Sequence, residues 1–219
     1  MRTAPLSKKS LEYKQFSQRF VELARLMEII LASTSPYRRA LLERLQVKFQ
    51  CIPPCVAEDT VAGETPAGMA ERLARSKAQA VASLHPRALV IGSDQVAAID
   101  DEVFGKPGNF ENAKIQLRAS SGREVRFYTA VTLICPDRAL ERSHVELFSV
   151  HFRTLSDAQI ANYLQREQPY DCAGSFKVEG LGIALFEKLV GDDPTSLEGL
   201  PLIKLSKLLA DAGVDVLAR

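Results

Sequence analysis

Short runs rich in isoleucine, leucine and valine alternate with stretches of helical periodicity through the first half of this chain. That alternation, more than any other feature, limits it to an α/β architecture. "IILAS" at residues 29–33 reads as a strand, and Pro36 to Leu45 as a helix with Ser35 as N-cap and Pro36 in its first turn. "VKFQCI" reads as a second strand, followed by a loop with prolines and acids through Gly63. Thr65-Pro66 repeats the cap-plus-proline signal and opens a long helix to about Leu84. "ALVIGSDQVAAID" predicts a buried strand with a break at Gly92-Ser93-Asp94, and Asp100-Asp101 a turn. Asn109 caps a helix to about Ala119. Two long alternating runs, "REVRFYTAVTLIC" and "ALERSHVELFSVHF", flank Pro136-Asp137 as an antiparallel pair. Ser156-x-x-Gln159 is a capping box for a helix to Glu167, and the last helix follows Gly199-Leu200-Pro201 and stops at Gly213.

With 219 residues, 46% of them apolar, the chain has ample material for a core, as one large domain or two small lobes. A formal charge of +1 excludes the broad field of a nucleic-acid coat, so any basic site is local. There is no run of about eighteen apolar residues and no secretory pattern, so the chain reads as soluble and cytoplasmic, with no membrane partner. Cys51, Cys55, Cys135 and Cys172 lack the spacing of a zinc cage and read as reduced, half-buried packing residues. Residues 1–26 hold six basic and two acidic residues, while the remaining chain is net negative. They form an N-terminal extension of helical periodicity, or else precede a true start at Met27; residues 27–219 form the main domain.

Several groups on this framework carry chemistry. A strand that runs into Ser33-Thr34-Ser35-Pro36 presents hydroxyls, helix N-terminal amides and the positive end of the helix dipole at one point. A capped helix alone would explain the serines. Arg38 and Arg39 in the first turn tip the reading toward phosphate, which guanidinium groups clamp in bidentate fashion. Asp94, directly after "LVIGS", falls at the end of an apolar strand, where it can hold a divalent cation or accept a proton from water. Glu58 and Asp59 in the loop after the second strand can complete a Mg²⁺ or Mn²⁺ site with it. Lys106, between Gly105 and Pro107, suits a phosphate ligand, whereas Lys77 reads from its neighbours as an exposed helical lysine. "CAGSFKVEGLG" at 172–182 has too many small residues for a regular element and reads as a loop lying close to a ligand. His85, His144 and His151 fall outside these groups and read as structural or surface residues.

Ser33-Thr34-Ser35-Pro36-Tyr37-Arg38-Arg39, Gly92-Ser93-Asp94-Gln95, Gly105-Lys106-Pro107, Cys172 through Gly180 and Gly199-Leu200-Pro201 occur in this order. With them the chain resembles the Maf family of nucleotide pyrophosphatases over about residues 28–210. The resemblance implies a Maf/Ham1 (ITPase-like) α/β fold, an elongated mixed sheet with two lobes around a central nucleotide cleft. It also implies hydrolysis of a nucleoside triphosphate between the α and β phosphates, dependent on Mg²⁺ or Mn²⁺, by a homodimer. Matched position by position, Ser33, Ser35, Arg38 and Arg39 bind phosphate, and Lys77 and Lys106 are the family's two lysines, which reverses the local reading of Lys77. Asp94 is the proton acceptor or metal ligand and Glu58 a metal ligand. The acid commonly found before Glu58 is here Ala57, which leaves Glu58 alone or with help from Asp59.

Three positions bear on the base. Tyr37, Gln95 and Glu179 stand where the branch acting on dTTP and UTP commonly has Arg, Thr and Gln. The set is similar to the branch acting on 7-methyl-GTP, which commonly has Trp where this chain has Tyr37. An aromatic face suits a cationic purine, with less stacking area in Tyr than in Trp; Glu179 can accept from guanine, and Gln95 can supply a donor or an acceptor to the base edge. The expected function is clearance of 7-methyl-GTP from the nucleotide pool. The alternatives are dTTP or UTP as substrate, or a non-catalytic nucleotide-binding regulator of cell division.

Overall fold

The computed structural model describes residues 27–218, so the expectations for residues 1–26 lie outside the described residues. Seven strands form one mixed sheet: β1 (Ile29–Leu31), β2 (Gln50–Cys51), β3 (Leu89–Ile99), β4 (Glu102–Phe104), β5 (Glu124–Cys135), β6 (Leu140–Phe152) and β7 (Phe186–Val190). Their order is β2-β1-β3-β5-β6-β7, with β4 on β3. β1 is parallel to β2 and β3, and all other pairings are antiparallel. The five helices are α1 (Pro36–Glu43), α2 (Pro66–Ala82), α3 (Phe110–Ser120), α4 (Asp157–Glu167) and α5 (Leu202–Asp211). Ser35, Thr65, Asn109 and Ser156 cap the first four, and the capping box at Ser156 and Gln159 is formed.

Two expectations for strands are corrected. The second strand is only Gln50–Cys51: its partner β1 has three residues, and beyond it Pro53 and Pro54 cannot donate to a ladder. The third is not broken at Gly92-Ser93-Asp94 but runs without interruption from Leu89 to Ile99, paired with β5 from Val90 to Ala98. Asp94 therefore sits in mid-strand rather than at a strand end.

That continuity makes the cleft. β5 occupies one edge of β3, so β1 and β4 must share the other. β1 reaches only to Ile91 and β4 begins at Ala97, so the sheet is open along residues 92–96 of β3. One apolar core lies beyond each side of this gap. The first gathers β1, α1, α5, Leu89 and Ile91; the second gathers Ala97, Ile99, α3, α4 and Phe127. The long strands β3 and β5 run from one core to the other, which is the elongated sheet with two lobes that the resemblance implies.

Candidate active site

Gly92 sets the geometry of the site. A Cβ there would lie 2.2 Å from the carbonyl oxygen of Ala74 and 2.7 Å from the amide nitrogen of Ala78, so only glycine lets the α2 backbone ride directly on β3. The buried row Ala70, Ala74 and Ala78 completes this close approach. Because side chains alternate along a strand, Asp94 shares the α2 face with Gly92. Lys77, next to Ala78, is thereby brought onto it: Lys77 Nζ donates to Asp94 Oδ1 at 2.6 Å, with both side chains almost wholly buried. Lys77 Nζ also lies 2.6 Å from Glu58 Oε1, so one ammonium bridges two carboxylates. The reading of Lys77 from its neighbours as an exposed lysine is thus wrong; the residue is 5% exposed.

Ser93 and Gln95 project to the opposite face, where residues 193–201 close over the sheet. Ser93 Oγ lies 2.7 Å from Ala130 O and 2.9 Å from Gly199 O, which share its one proton. Gln95 Nε2 donates to Ser196 O at 2.7 Å, Leu197 O at 3.2 Å and Thr129 Oγ1 at 3.1 Å. Carbonyl oxygens accept only from the amide nitrogen, so the Gln95 oxygen is the atom left to the cleft. Gln95 thus offers the cleft an acceptor.

The cleft between β1 and β4 encloses about 550 Å³, within the range of small-molecule sites. Ser33, Ser35, Tyr37 and Arg38 enter from the β1 side, Lys106 from the β4 side, and Glu58, Lys77, Asp94, Gln95 and Glu179 complete it. The Ser33 hydroxyl accepts from Ser35 N–H at 3.1 Å and shapes the loop. Ser35 accepts from Arg38 N–H, and its carbonyl from Arg39 N–H, so the cap consumes two of the amides expected to face an anion. Arg38 is held by Nε donation to Gly199 O at 2.8 Å; Gly199 adopts a φ of 106°, open to glycine at no steric cost. Of the residues expected at the site, Arg39 does not line the cleft: its side chain, 65% exposed, pairs with Glu43 at 3.0 Å on the outer surface of α1. Asp59 is also outside the lining, and its carbonyl accepts from Arg72.

Burial and neighbouring charge shift four groups of the lining. Burial lowers the Arg38 guanidinium from its ordinary range, opposed by the nearby Asp94 and Glu58. Burial raises the Glu58 carboxyl, but Lys77, Lys106 and Arg38 together outweigh it and hold it below the usual range. Elsewhere in the lining, burial and the neighbouring Glu179 push the Glu198 carboxyl up despite Arg44. Burial, with Cys172 and Asp171, pushes the Tyr37 phenol up.

Glu58 and Asp94 share one ammonium, which brings two hard oxygen donors close together. This donor set suits an oxygen-seeking divalent ion whose remaining positions are filled by phosphate and water. No group of three or more potential side-chain ligands exists among the described residues, so the protein supplies only part of such a shell.

Reasoning from sequence missed the scaffold behind Arg38 and Gln95. Asp193 Oδ1 accepts from Thr195 N–H and Oγ at 3.0 and 2.6 Å, its Oδ2 accepts from Ile203 N–H at 2.7 Å, and Thr195 Oγ donates to Leu200 O at 2.9 Å. The signal was present: Asp193-Pro194-Thr195 is a third acid- or hydroxyl-plus-proline cap. The cysteines are also corrected in part, since Cys51 and Cys55 are exposed.

Fold and cleft define an α/β protein with a cationic, carboxylate-containing site in a gap of its sheet. Comparison with known proteins gives it a family. Residues 28–212 match the Maf-like protein family, and the chain belongs to it. It is 54% identical over 190 residues to the 7-methyl-GTP pyrophosphatase of Colwellia psychrerythraea, covering 87% of this chain and 95% of that protein. The proteins of the same name from Polaromonas sp. and Nitrosococcus oceani are 53% and 52% identical, covering 87% and 86% of this chain and 87% and 95% of theirs. Among solved structures, the Ham1 protein of Staphylococcus aureus aligns with a TM-score of 0.42 at 17% identity, over 57% of this chain and 71% of that one.

Proposed function

We propose that this protein hydrolyses the α–β phosphate anhydride of a nucleoside triphosphate, with 7-methyl-GTP as the substrate, releasing 7-methyl-GMP and pyrophosphate. The observation that carries the reading is the buried Lys77–Asp94 pair at the open edge of β3, with Arg38 and Lys106 in the same cleft. Lys77 occupies Asp94 Oδ1, and the other oxygen, which has no partner among the described residues, is left for the cleft. Asp94 there orients a water and takes its proton as the water oxygen bonds to the α-phosphorus and the bridging bond to the β-phosphate breaks. Arg38, Lys106 and the Ser33–Ser35 loop bind the triphosphate and stabilise charge that develops on the leaving pyrophosphate. Glu58 and Asp94 would hold Mg²⁺ or Mn²⁺, which when bound adds neutralisation of phosphate charge. Arg39 plays no part in this arrangement.

For the base, Tyr37 offers an aromatic face, and Glu179 and the Gln95 oxygen offer acceptors only. Guanine presents adjacent donors at N1 and its exocyclic amine, whereas uracil and thymine present one. Methylation at N7 makes the purine cationic, which favours an aromatic face by about 0.5–2 kcal/mol. The same reading carries the expectations of a homodimer acting in the cytoplasm, as an enzyme of nucleotide clearance with no nucleic-acid or membrane partner; no helix among the described residues is long and apolar enough to cross a membrane. The test is product analysis: 7-methyl-GTP incubated with the protein and Mg²⁺ should give 7-methyl-GMP and pyrophosphate in equal amounts. Formation of 7-methyl-GDP and phosphate would place the cut elsewhere, and no turnover would reject the reading.

A further inference from the structure

Where Tyr37 meets the segment that carries Glu179, four side chains converge. The Tyr37 hydroxyl donates to Asp171 Oδ2 at 3.2 Å, across 134 residues of sequence. The Cys172 thiol lies 3.5 Å from Asp171 Oδ1 and 4.0 Å from the Tyr37 hydroxyl. Lys177 Nζ stands 6.0 Å from the centroid of the Tyr37 ring and 4.0 Å from Asp171 Oδ1. All four residues line the cleft. The Tyr37 ring is thus held by a carboxylate at its edge and already faces a cation.

We propose that Asp171 is a specificity-determining residue, which makes the Tyr37 face select a positively charged base over a neutral one. This rests on the nucleotide reading above and names what that site adds to it. The argument has three parts. A phenol that donates to a carboxylate gains electron density in its ring, so the face attracts a cation more strongly. The bond also fixes the ring orientation, which a tyrosine on the first turn of α1 would not otherwise keep. And the Asp171 charge, beside the ring, opposes the positive charge of an N7-alkylated purine directly. Lys177 is the cation nearest the ring, and a cationic base takes its place there while Asp171 supplies the counter-charge to either. No proton or bond is exchanged in this exchange of cations.

The experiment measures kcat and KM with Mg²⁺ for 7-methyl-GTP and for GTP in the wild type, Asp171→Asn, Tyr37→Phe and the double variant, with thermal melting to verify folding. The Asp171 side chain is 59% exposed, so its amide is readily accommodated. The expected result is that Asp171→Asn lowers the ratio of kcat/KM for the methylated over the unmethylated nucleotide by about three- to ten-fold, through KM. Tyr37→Phe, which keeps the ring but not the hydroxyl, lowers it as well, and the two effects are less than additive because they share one bond. An unchanged ratio in Asp171→Asn, or equal losses on both nucleotides, would overturn the inference while leaving the pyrophosphatase reading intact. Absence of turnover of either nucleotide by the wild type would overturn that reading, and this inference with it.

Discussion

The walls of the cleft around Asp94 and around Tyr37 are built by different means. Around Asp94 three groups are fixed by backbone, the buried Lys77 and Asp94 by the close contact at Gly92 and Arg38 by the carbonyl of Gly199, while Glu58 and Lys106 are exposed. Around Tyr37 the polar groups are exposed or half-buried side chains that contact one another, on the segment between α4 and β7. Lys77, Lys106 and Arg38 draw the Glu58 carboxyl down against its burial, whereas burial, with a smaller push from Glu179, drives Glu198 up. The difference teaches where each part of the function resides. Under the proposed function, hydrolysis rests on the Lys77–Asp94 pair, which cannot move without disturbing the sheet, and base choice chiefly on side chains off the sheet, with Gln95 on β3 the exception.

Substitutions on the first wall should have the largest effects. Asp94→Asn should lower kcat by about 10²–10⁴-fold for every nucleotide, measured by pyrophosphate release, because it removes the proton acceptor. Lys77→Met should lose activity and also stability. It leaves the Asp94 carboxylate buried without its cation, at about 3–5 kcal/mol, a fall in Tm on the order of ten degrees in thermal melting. Adding Asp94→Asn to that variant should restore much of the Tm but none of the activity, which separates the charge cost from the chemistry. If Lys77→Met melts like the wild type, the contrast between a rigid and an adaptable wall fails.

On the second wall Glu179→Gln should leave the Tm within about a degree and lower discrimination between 7-methyl-GTP and UTP by about 1–3 kcal/mol. The smallest effects concern pH. Glu58 titrates lower in the fold than in the unfolded chain, so it adds stability above the ordinary carboxylate range near pH 4 and loses it as the pH falls through its depressed value. Glu198 titrates higher, so its charge weighs against the fold above that range and ceases to as the pH falls through its raised value. Glu58→Gln should therefore lessen the acid-induced fall in Tm, and Glu198→Gln should raise Tm slightly at neutral pH. Like behaviour of the two variants would contradict these opposite shifts.

How much of this was legible in the sequence follows from the same contrast. The helix starts were readable because Ser35, Thr65, Asn109 and Ser156 act locally, on amides three residues away. The Lys77–Asp94 pair was not readable from its neighbours, because it depends on Gly92 meeting Ala74 across two elements; only resemblance to a family placed Lys77 in the site. The supposed break at Gly92-Ser93-Asp94 misled for the same reason, since small and polar residues that end a strand locally are here demanded by tertiary packing. Arg38 and Arg39 stand side by side in sequence, yet a helix turns successive side chains by about 100°, so one enters the cleft and the other lies on the surface with Glu43. The Tyr37–Asp171 contact, between residues 134 apart, left no local trace.

The central claim is that one wall performs hydrolysis and the other chooses the base. It is tested most directly by kcat/KM for 7-methyl-GTP and UTP in the wild type, Asp94→Asn and Glu179→Gln under one set of conditions. The account predicts that Asp94→Asn lowers both values by the same large factor and keeps their ratio, while Glu179→Gln changes the ratio and retains turnover. A changed ratio in Asp94→Asn, or an equal loss on both nucleotides in Glu179→Gln, would contradict it.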